Sequence, residues 1–258
     1  MPPTAAVEKP GERLGDELIL IQVGPERKQF SVHKKLLRSS SPFFDKAFQA
    51  NAFKEGIEGV LYLPDDHPVA LGLYVEWIYR LTIPDGHSQS YVDGLYHLWI
   101  LADKLCLPTS ALKDAVMDKI QDISSAYNLE PRSAMVQLVF EQTAKKSHLR
   151  LYCIDVIAFS LLLKSELRKT DHEAKRLAGI LDDELEQVYE MTTRHPDIFK
   201  YLFYEAIGFA KMKALSDPRA RYRLGIEARC WYHEHAEGDC HSASVLAPPF
   251  IQDAEADF

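Results

Sequence analysis

The chain is poor in cysteine, in net positive charge and in long apolar runs, and each shortage closes off a class of protein. Four cysteines in 258 residues (Cys106, Cys153, Cys230 and Cys240) are too few and too scattered for a disulfide framework. A reducing cytoplasmic or nuclear compartment fits that usage, and Cys106 and Cys153, set among apolar residues, read as small core side chains. A formal net charge of -8 leaves no basic footprint for nucleic acid or an anionic membrane. The longest apolar run, Leu151 to Leu163, contains Asp155 and is too short to cross a bilayer. Residues 1–15 carry proline and charge but no apolar signal core. Glycine-rich phosphate loops, nucleophile elbows and zinc-protease motifs are missing, and no repeat period is evident. A non-enzymatic protein whose contacts are with other proteins is what remains.

Hydrophobic residues make up 47% of the chain, enough for one large core or two small ones. Asp16 to Val23 is expected as a strand apolar on both faces, lying between two neighbours in a sheet. Gly24-Pro25-Glu26 turns it into a second strand over Gln29 to Val32. A short helix over His33 to Arg38 is stopped by a serine run. Ser41 then caps a second helix with Pro42 at its first position, and Phe44 and Phe48, four apart, share its buried face. Gln49 to Gly59 reads as a mobile loop, and Val60 to Leu63 as a short strand ended by Pro64. Three stripes at helical spacing follow, on Ala70 to Leu81, Tyr91 to Leu105 and Leu112 to Ile123. From Pro131 the pattern is helical alone: Pro131 to Lys146, His148 to Lys164 (apolar nearly all round), Asp182 to Thr193, and Asp197 to Leu215 after the His195-Pro196 break. Residues 242–258 are small, acidic and expected to be disordered.

Taken as an ordered set, these residues resemble the BTB/POZ domain. Asp16-Glu17-Leu18 to Val23 corresponds to its first strand, and Phe30-Ser31-Val32-His33-Lys34 to the hallmark step from strand to helix. Leu37, Ser40, Pro42-Phe43-Phe44 and Phe53-Lys54-Glu55 follow at matching offsets. So do Leu61 to Asp66, Leu73-Tyr74, Trp77-Ile78-Tyr79, Leu98, Leu101 to Leu105 and Leu112. The layout implied is an α+β BTB/POZ fold, a small sheet covered by helices, followed by an all-α C-terminal region. The expected divisions are a disordered leader at 1–15, the BTB/POZ domain at 16–123, a helical region with a terminal Cys/His segment at 131–241, and the tail. The arrangement is similar to BTB proteins numerous in filamentous fungi. The resemblance implies a protein–protein interaction adaptor, in its best-specified form a substrate-recruiting subunit of a cullin-type ubiquitin ligase. A nuclear scaffold or transcriptional co-regulator without a ligase is the alternative within the same class. An enzyme using the C-terminal Cys/His cluster is the alternative from another class. Many dimeric members exchange a strand and helix ahead of the first core strand. Residues 1–15 lack the apolar periodicity for either, so a homodimer stays open without that swap element, as do a monomer and another assembly.

Within this frame His33 and Lys34 read as scaffold, because no acid or base partner lies near them in sequence. Phe53-Lys54-Glu55 is the candidate partner-binding triplet, since a hydrophobic–any–glutamate triplet in this loop of cullin-binding members lies at the cullin contact. An apolar anchor beside a charge also suits docking. Cys230, His233, Cys240 and His241, with His235 as the alternative to His241, offer soft S and N donors to one structural zinc. Arg219, Arg221, Arg223 and Arg229 form a basic run whose first three members alternate along a strand or loop, and in an acidic chain they are expected to pair with carboxylates. Asp182, Asp183, Glu184 and Glu186 read as the acidic first turn of a helix.

Overall fold

A computed structural model describes residues 14–49, 54–167, 185–212 and 216–236. By internal contacts they form two compact units: residues up to Asp85 with His97–Leu112, and Gly86–Tyr96 with everything from Lys113 onward.

The first unit is built on a three-stranded sheet. Strand β1 (Leu18–Val23) lies between β2 (Lys28–His33), which pairs with it antiparallel, and β3 (Val60–Leu63), which runs parallel to it. The expected central position of the first strand is met, with a qualification about its faces. Ile19, Ile21 and Val23 are buried, while Leu20 and Gln22 on the other face are only half-buried and Leu18 is exposed. Tyr62, opposite Gln22 and partly exposed, has the Arg27 guanidinium 4.6 Å from its ring centroid. The hairpin turn places Gly24 at φ +72°, a conformation natural to glycine, and Arg27 N–H closes the turn on the Gly24 carbonyl at 3.0 Å.

Helix α1 (Lys34–Ser40) runs through the serines instead of stopping at them. The Ser39 and Ser40 hydroxyls donate back to the carbonyls of Leu36 and Leu37 at 2.8 and 2.6 Å, satisfying themselves inside the last turn. Helix α2 (Pro42–Ala47) starts as the sequence predicts: Ser41 caps it by accepting from Phe43 N–H at 3.1 Å, with Pro42 in the first turn. The Ser41 hydroxyl also donates to the Leu105 carbonyl at 2.9 Å, and Phe44 and Phe48 are fully buried. The expected loop contains a short helix, α3 (Lys54–Glu58), closed by Gly59 at φ +67°, whose N–H bonds the Glu55 carbonyl at 2.9 Å. Helix α4 (Pro68–Arg80) is capped by His67 and ends on Leu81 in the left-handed region at φ +56°. Helix α5 (Gln89–Lys104) divides between the two units. Cys106 corrects the expectation of a core side chain: it sits at φ +51° just past that helix, is exposed, and its N–H bonds the Asp103 carbonyl. Helix-termination geometry, and not apolar surroundings, sets its place.

The second unit takes in nearly all of α6 (Ala111–Ala126) and then only helices: α7 (Ser133–Gln142), α8 (His148–Leu167), α9 (helical over 185–194), α10 (Pro196–Met212), a 3-10 segment (Pro218–Leu224), α11 (Ile226–Arg229) and a 3-10 turn (Cys230–Tyr232). Its core is α8, which buries Leu149, Tyr152, Cys153, Ile154 and Val156. Burial pushes the Cys153 thiol well above the ordinary thiol range, so it is an inert core group. Arg150 is also buried, because it closes the end of α7: its guanidinium donates to Thr143 Oγ1 (3.0 Å), the Phe140 carbonyl (2.6 Å) and the Thr143 carbonyl. The arginine run lies in a 3-10 segment and α11, and not in the strand or loop expected. The leader at 1–13, Phe53, Asp182 to Glu184, Cys240, His241 and the tail at 242–258 lie outside the described residues.

Candidate functional sites

The hallmark step places His33 at the end of β2, where the chain turns into α1. Its Nδ1 lies 2.6 Å from the Tyr79 hydroxyl, and its backbone N–H donates to the same oxygen at 3.2 Å. Lys34 pairs with Glu17 at 2.8 Å. His33 therefore ties the sheet to α4 through a contact 46 residues apart in sequence.

Of the partner-binding triplet, Glu55 stands half-buried in the first turn of α3, and the backbone of Lys54 opens that helix. Beside them Ile57 is 73% exposed, the most exposed large apolar side chain described. The sequence reading missed it by treating the segment as an irregular loop. A shallow apolar groove of about 210 Å³ lies elsewhere on this unit, between α1, α4 and the α5–α6 connection, lined by Leu36, Tyr74, Trp77 and Leu81. In the second unit, Leu185, Tyr189, Phe199 and Phe203 line an apolar cleft of about 360 Å³ formed by α8, α9 and α10.

The segment 216–236 carries the densest chemistry. Helix α6 presents Asp114, Asp118 and Asp122 at four-residue intervals, so the three carboxylates share one face. Asp122 holds Arg229 through two bonds (3.0 and 2.9 Å), and Asp118 Oδ1 accepts from Arg229 Nε at 2.6 Å. The same oxygen lies 3.1 Å from His233 Nε2, and Asp114 accepts from the Glu234 N–H at 2.7 Å. Burial pushes the Asp118 carboxyl up, but the His233 bond and the Arg229 charge outweigh it and hold it below the usual range. At Asp122 burial wins, and the carboxyl is raised. Arg219 and Arg221 pair as expected of an acidic chain, while the side chain of Arg223 lies outside what is described. Arg219 binds Asp217 and Asn128, and Arg221 donates to the Tyr232 hydroxyl at 3.0 Å. Tyr232, fully buried against Tyr152, donates in turn to Asp155 Oδ2 at 2.6 Å.

On this platform Cys230, His233 and His235 converge, with their donor atoms within 4.8 Å of one another. The 3-10 turn Cys230–Tyr232, closed by His233 N–H on the Cys230 carbonyl at 2.9 Å, brings the first two together. The extended backbone at His233 then returns His235 to the same point. The structure thus brings together three of the candidate residues, Cys230, His233 and His235, while Cys240 and His241 lie outside the described residues. The aspartate stripe was overlooked, although three aspartates spaced by four on a helix whose opposite face is apolar are visible in the sequence.

Among the described residues no helix is long and apolar enough to cross a membrane. No curated protein matches the chain. Residues 16–122 match the BTB/POZ domain family. That span contains the β2–β1–β3 sheet, the His33-Lys34 step, and the helices capped by Ser41 and His67. The N-terminal part of this chain is accordingly a BTB/POZ domain, the fold of a family whose members serve generally as protein-interaction modules.

Proposed function

We propose that the protein is a non-catalytic adaptor whose BTB/POZ domain docks a cullin-type scaffold through α3 and the residues just before it, while the helical region carries the second partner. The observation that supports this most is the make-up of α3: Glu55 in its first turn and Ile57, 73% exposed, directly after the Phe53 position. An apolar side chain held out on a short helix beside a carboxylate has the make-up of a docking anchor. The cleft bordered by Tyr189, Phe199 and Phe203 offers the helical region an aromatic surface of the kind enriched at interfaces.

The test is co-purification of the full chain with a cullin, comparing wild type, Phe53→Ala/Glu55→Ala and Ile57→Asp. The adaptor reading expects capture by the wild type and its loss in both variants, with circular dichroism unchanged. Capture unchanged in both variants would remove this surface. An absence of cullin from the wild-type complex would leave the non-ligase scaffold as the reading to adopt.

A further inference from the structure

We propose that Cys230, His233 and His235 bind a zinc ion that fastens the segment after α11 to α6. The argument starts from which nitrogens carry protons. His235 Nδ1 lies 2.8 Å from the Ala236 carbonyl, which only accepts, so this nitrogen carries a hydrogen. His233 Nε2 lies 3.1 Å from the Asp118 carboxylate, which also accepts, so the second ring is protonated on its outer side too. The inner nitrogens, His233 Nδ1 and His235 Nε2, then point lone pairs at each other across 3.2 Å. Two neutral imidazoles in that pose repel, and a cation between them turns the contact attractive.

A shared proton would serve two nitrogens, but here a third donor, a cysteine sulfur, lies within 4.8 Å of both. Two imidazole nitrogens and one thiolate form a borderline-soft donor set suited to zinc. The spacing agrees. With Zn–N bonds of about 2.0–2.1 Å at a tetrahedral angle, two nitrogens stand about 3.3 Å apart. The nitrogens here are 3.2 Å apart. The outer bonds complete the match, because metal-bound histidines characteristically donate their other N–H to a carboxylate or a backbone carbonyl, which fixes tautomer and ring angle. Asp118 and the Ala236 carbonyl do both, and Arg229 fixes Asp118 in turn. The three donors among the described residues leave the fourth tetrahedral position to a ligand from outside this set. Binding the metal converts the Cys230 thiol to thiolate and releases its proton to solvent.

The experiment uses the full chain purified without chelator. Elemental analysis should find about one zinc per chain. Cobalt(II) added to protein stripped of metal should give intense tetrahedral d–d bands together with a sulfur-to-cobalt charge-transfer band. Cys230→Ser should abolish the charge-transfer band, and His235→Ala should weaken zinc binding at least tenfold. Because His233 is wholly buried, its substitution risks the fold, whereas His235 is only half-buried and keeps the test readable. Zinc below about a tenth of an equivalent, with no cobalt bands from a folded chain, would overturn the proposal in favour of a proton-bridged histidine pair. Full metal retention by both variants would overturn it equally, since these residues would not be the ligands.

Discussion

Arg229 and Asp122 provide the sharpest test of how the last described segment is held. Two parallel hydrogen bonds join them at 3.0 and 2.9 Å, and their side chains are only 10% and 15% exposed. A pair on the open surface is worth roughly 0–1 kcal/mol. Here solvent screening is small and the geometry is bidentate, so the coupling should be larger. Arg229→Ala leaves two carboxylates, Asp118 and Asp122, in a half-desolvated site and should cost about 3–5 kcal/mol. Asp122→Ala leaves Arg229 its bond to Asp118 and should cost about 1.5–3 kcal/mol, the range for a hydrogen bond to a charged group. If the two side chains act mainly on each other, the double variant costs less than the sum, by about 1–3 kcal/mol. Asp122 is the better partner for such a cycle because Asp118 also holds His233. The four proteins would be unfolded in urea, followed by circular dichroism, with the cycle repeated in 1 M salt, where the Debye length falls to about 3 Å. A coupling below about 0.5 kcal/mol, or one erased by salt, would refute the view that this contact is buried and structural.

Three further outcomes follow from the same coordinates. Burial raises the Asp155 carboxyl to about 6, against the pull of the Tyr232 hydroxyl and Arg221, so the folded chain holds this proton when the unfolded chain has released it. Its contribution is therefore present below the unfolded carboxylate range and lost as pH climbs through about 6; relative to Asp155→Asn, wild type should lose on the order of 2–3 kcal/mol between pH 4 and 7, and a flat difference curve would contradict the assignment. Phe44→Ala empties a fully buried ring site beside Phe43 and Tyr74 and should cost about 3–5 kcal/mol in denaturant unfolding, with a loss under 1 kcal/mol showing that the site is not core. Tyr79→Phe removes the hydroxyl that meets both His33 Nδ1 and its backbone N–H, and should cost about 1–3 kcal/mol in denaturant unfolding; unchanged stability would show that this contact does not hold the sheet to α4.

Features governed by neighbours in sequence were readable, and those governed by distant partners were not. Ser41 before Pro42 announces a helix start because a hydroxyl cap and a residue without an N–H are local requirements. Continuous apolarity in Leu18 to Val23 announces a central strand, though not that its Leu20 and Gln22 face would remain half-covered, since that depends on what packs above it. The serine run misled because hydroxyls compete with the helix only where they lack acceptors, and here Leu36 and Leu37 carbonyls receive them within the helix. Helix α3 was invisible for a similar reason: five residues carry no periodicity to count, and its end is marked only by Gly59. The approach of His235 to His233 depends on an extended backbone at His233 that no spacing rule states.

The stretch from Asp217 to His235 looks like a basic run followed by a polar tail, but its physics is that of an interior element. Two of its arginines reach far back along the chain: Arg219 to Asn128, 91 residues away, and Arg229 to Asp118 and Asp122, at separations of 111 and 107. Tyr232 meets Asp155 across 77 residues. Contacts of such range close large loops, and the entropic cost of closing them must be met by strong, well-oriented interactions. A short segment with little apolar surface cannot supply these by burial, because its turns of four and three residues offer Tyr232 and little else to a core. Charge-assisted bonds supply them instead, and the acidic face of α6 is what makes them available. The negative balance of the whole chain, which at first only argues against nucleic acid, thus has a specific structural use: part of it is the stripe Asp114, Asp118 and Asp122 that seats this segment. A metal joining Cys230, His233 and His235 would act beside the middle of the same stripe, where one oxygen of Asp118 already meets both Arg229 and His233.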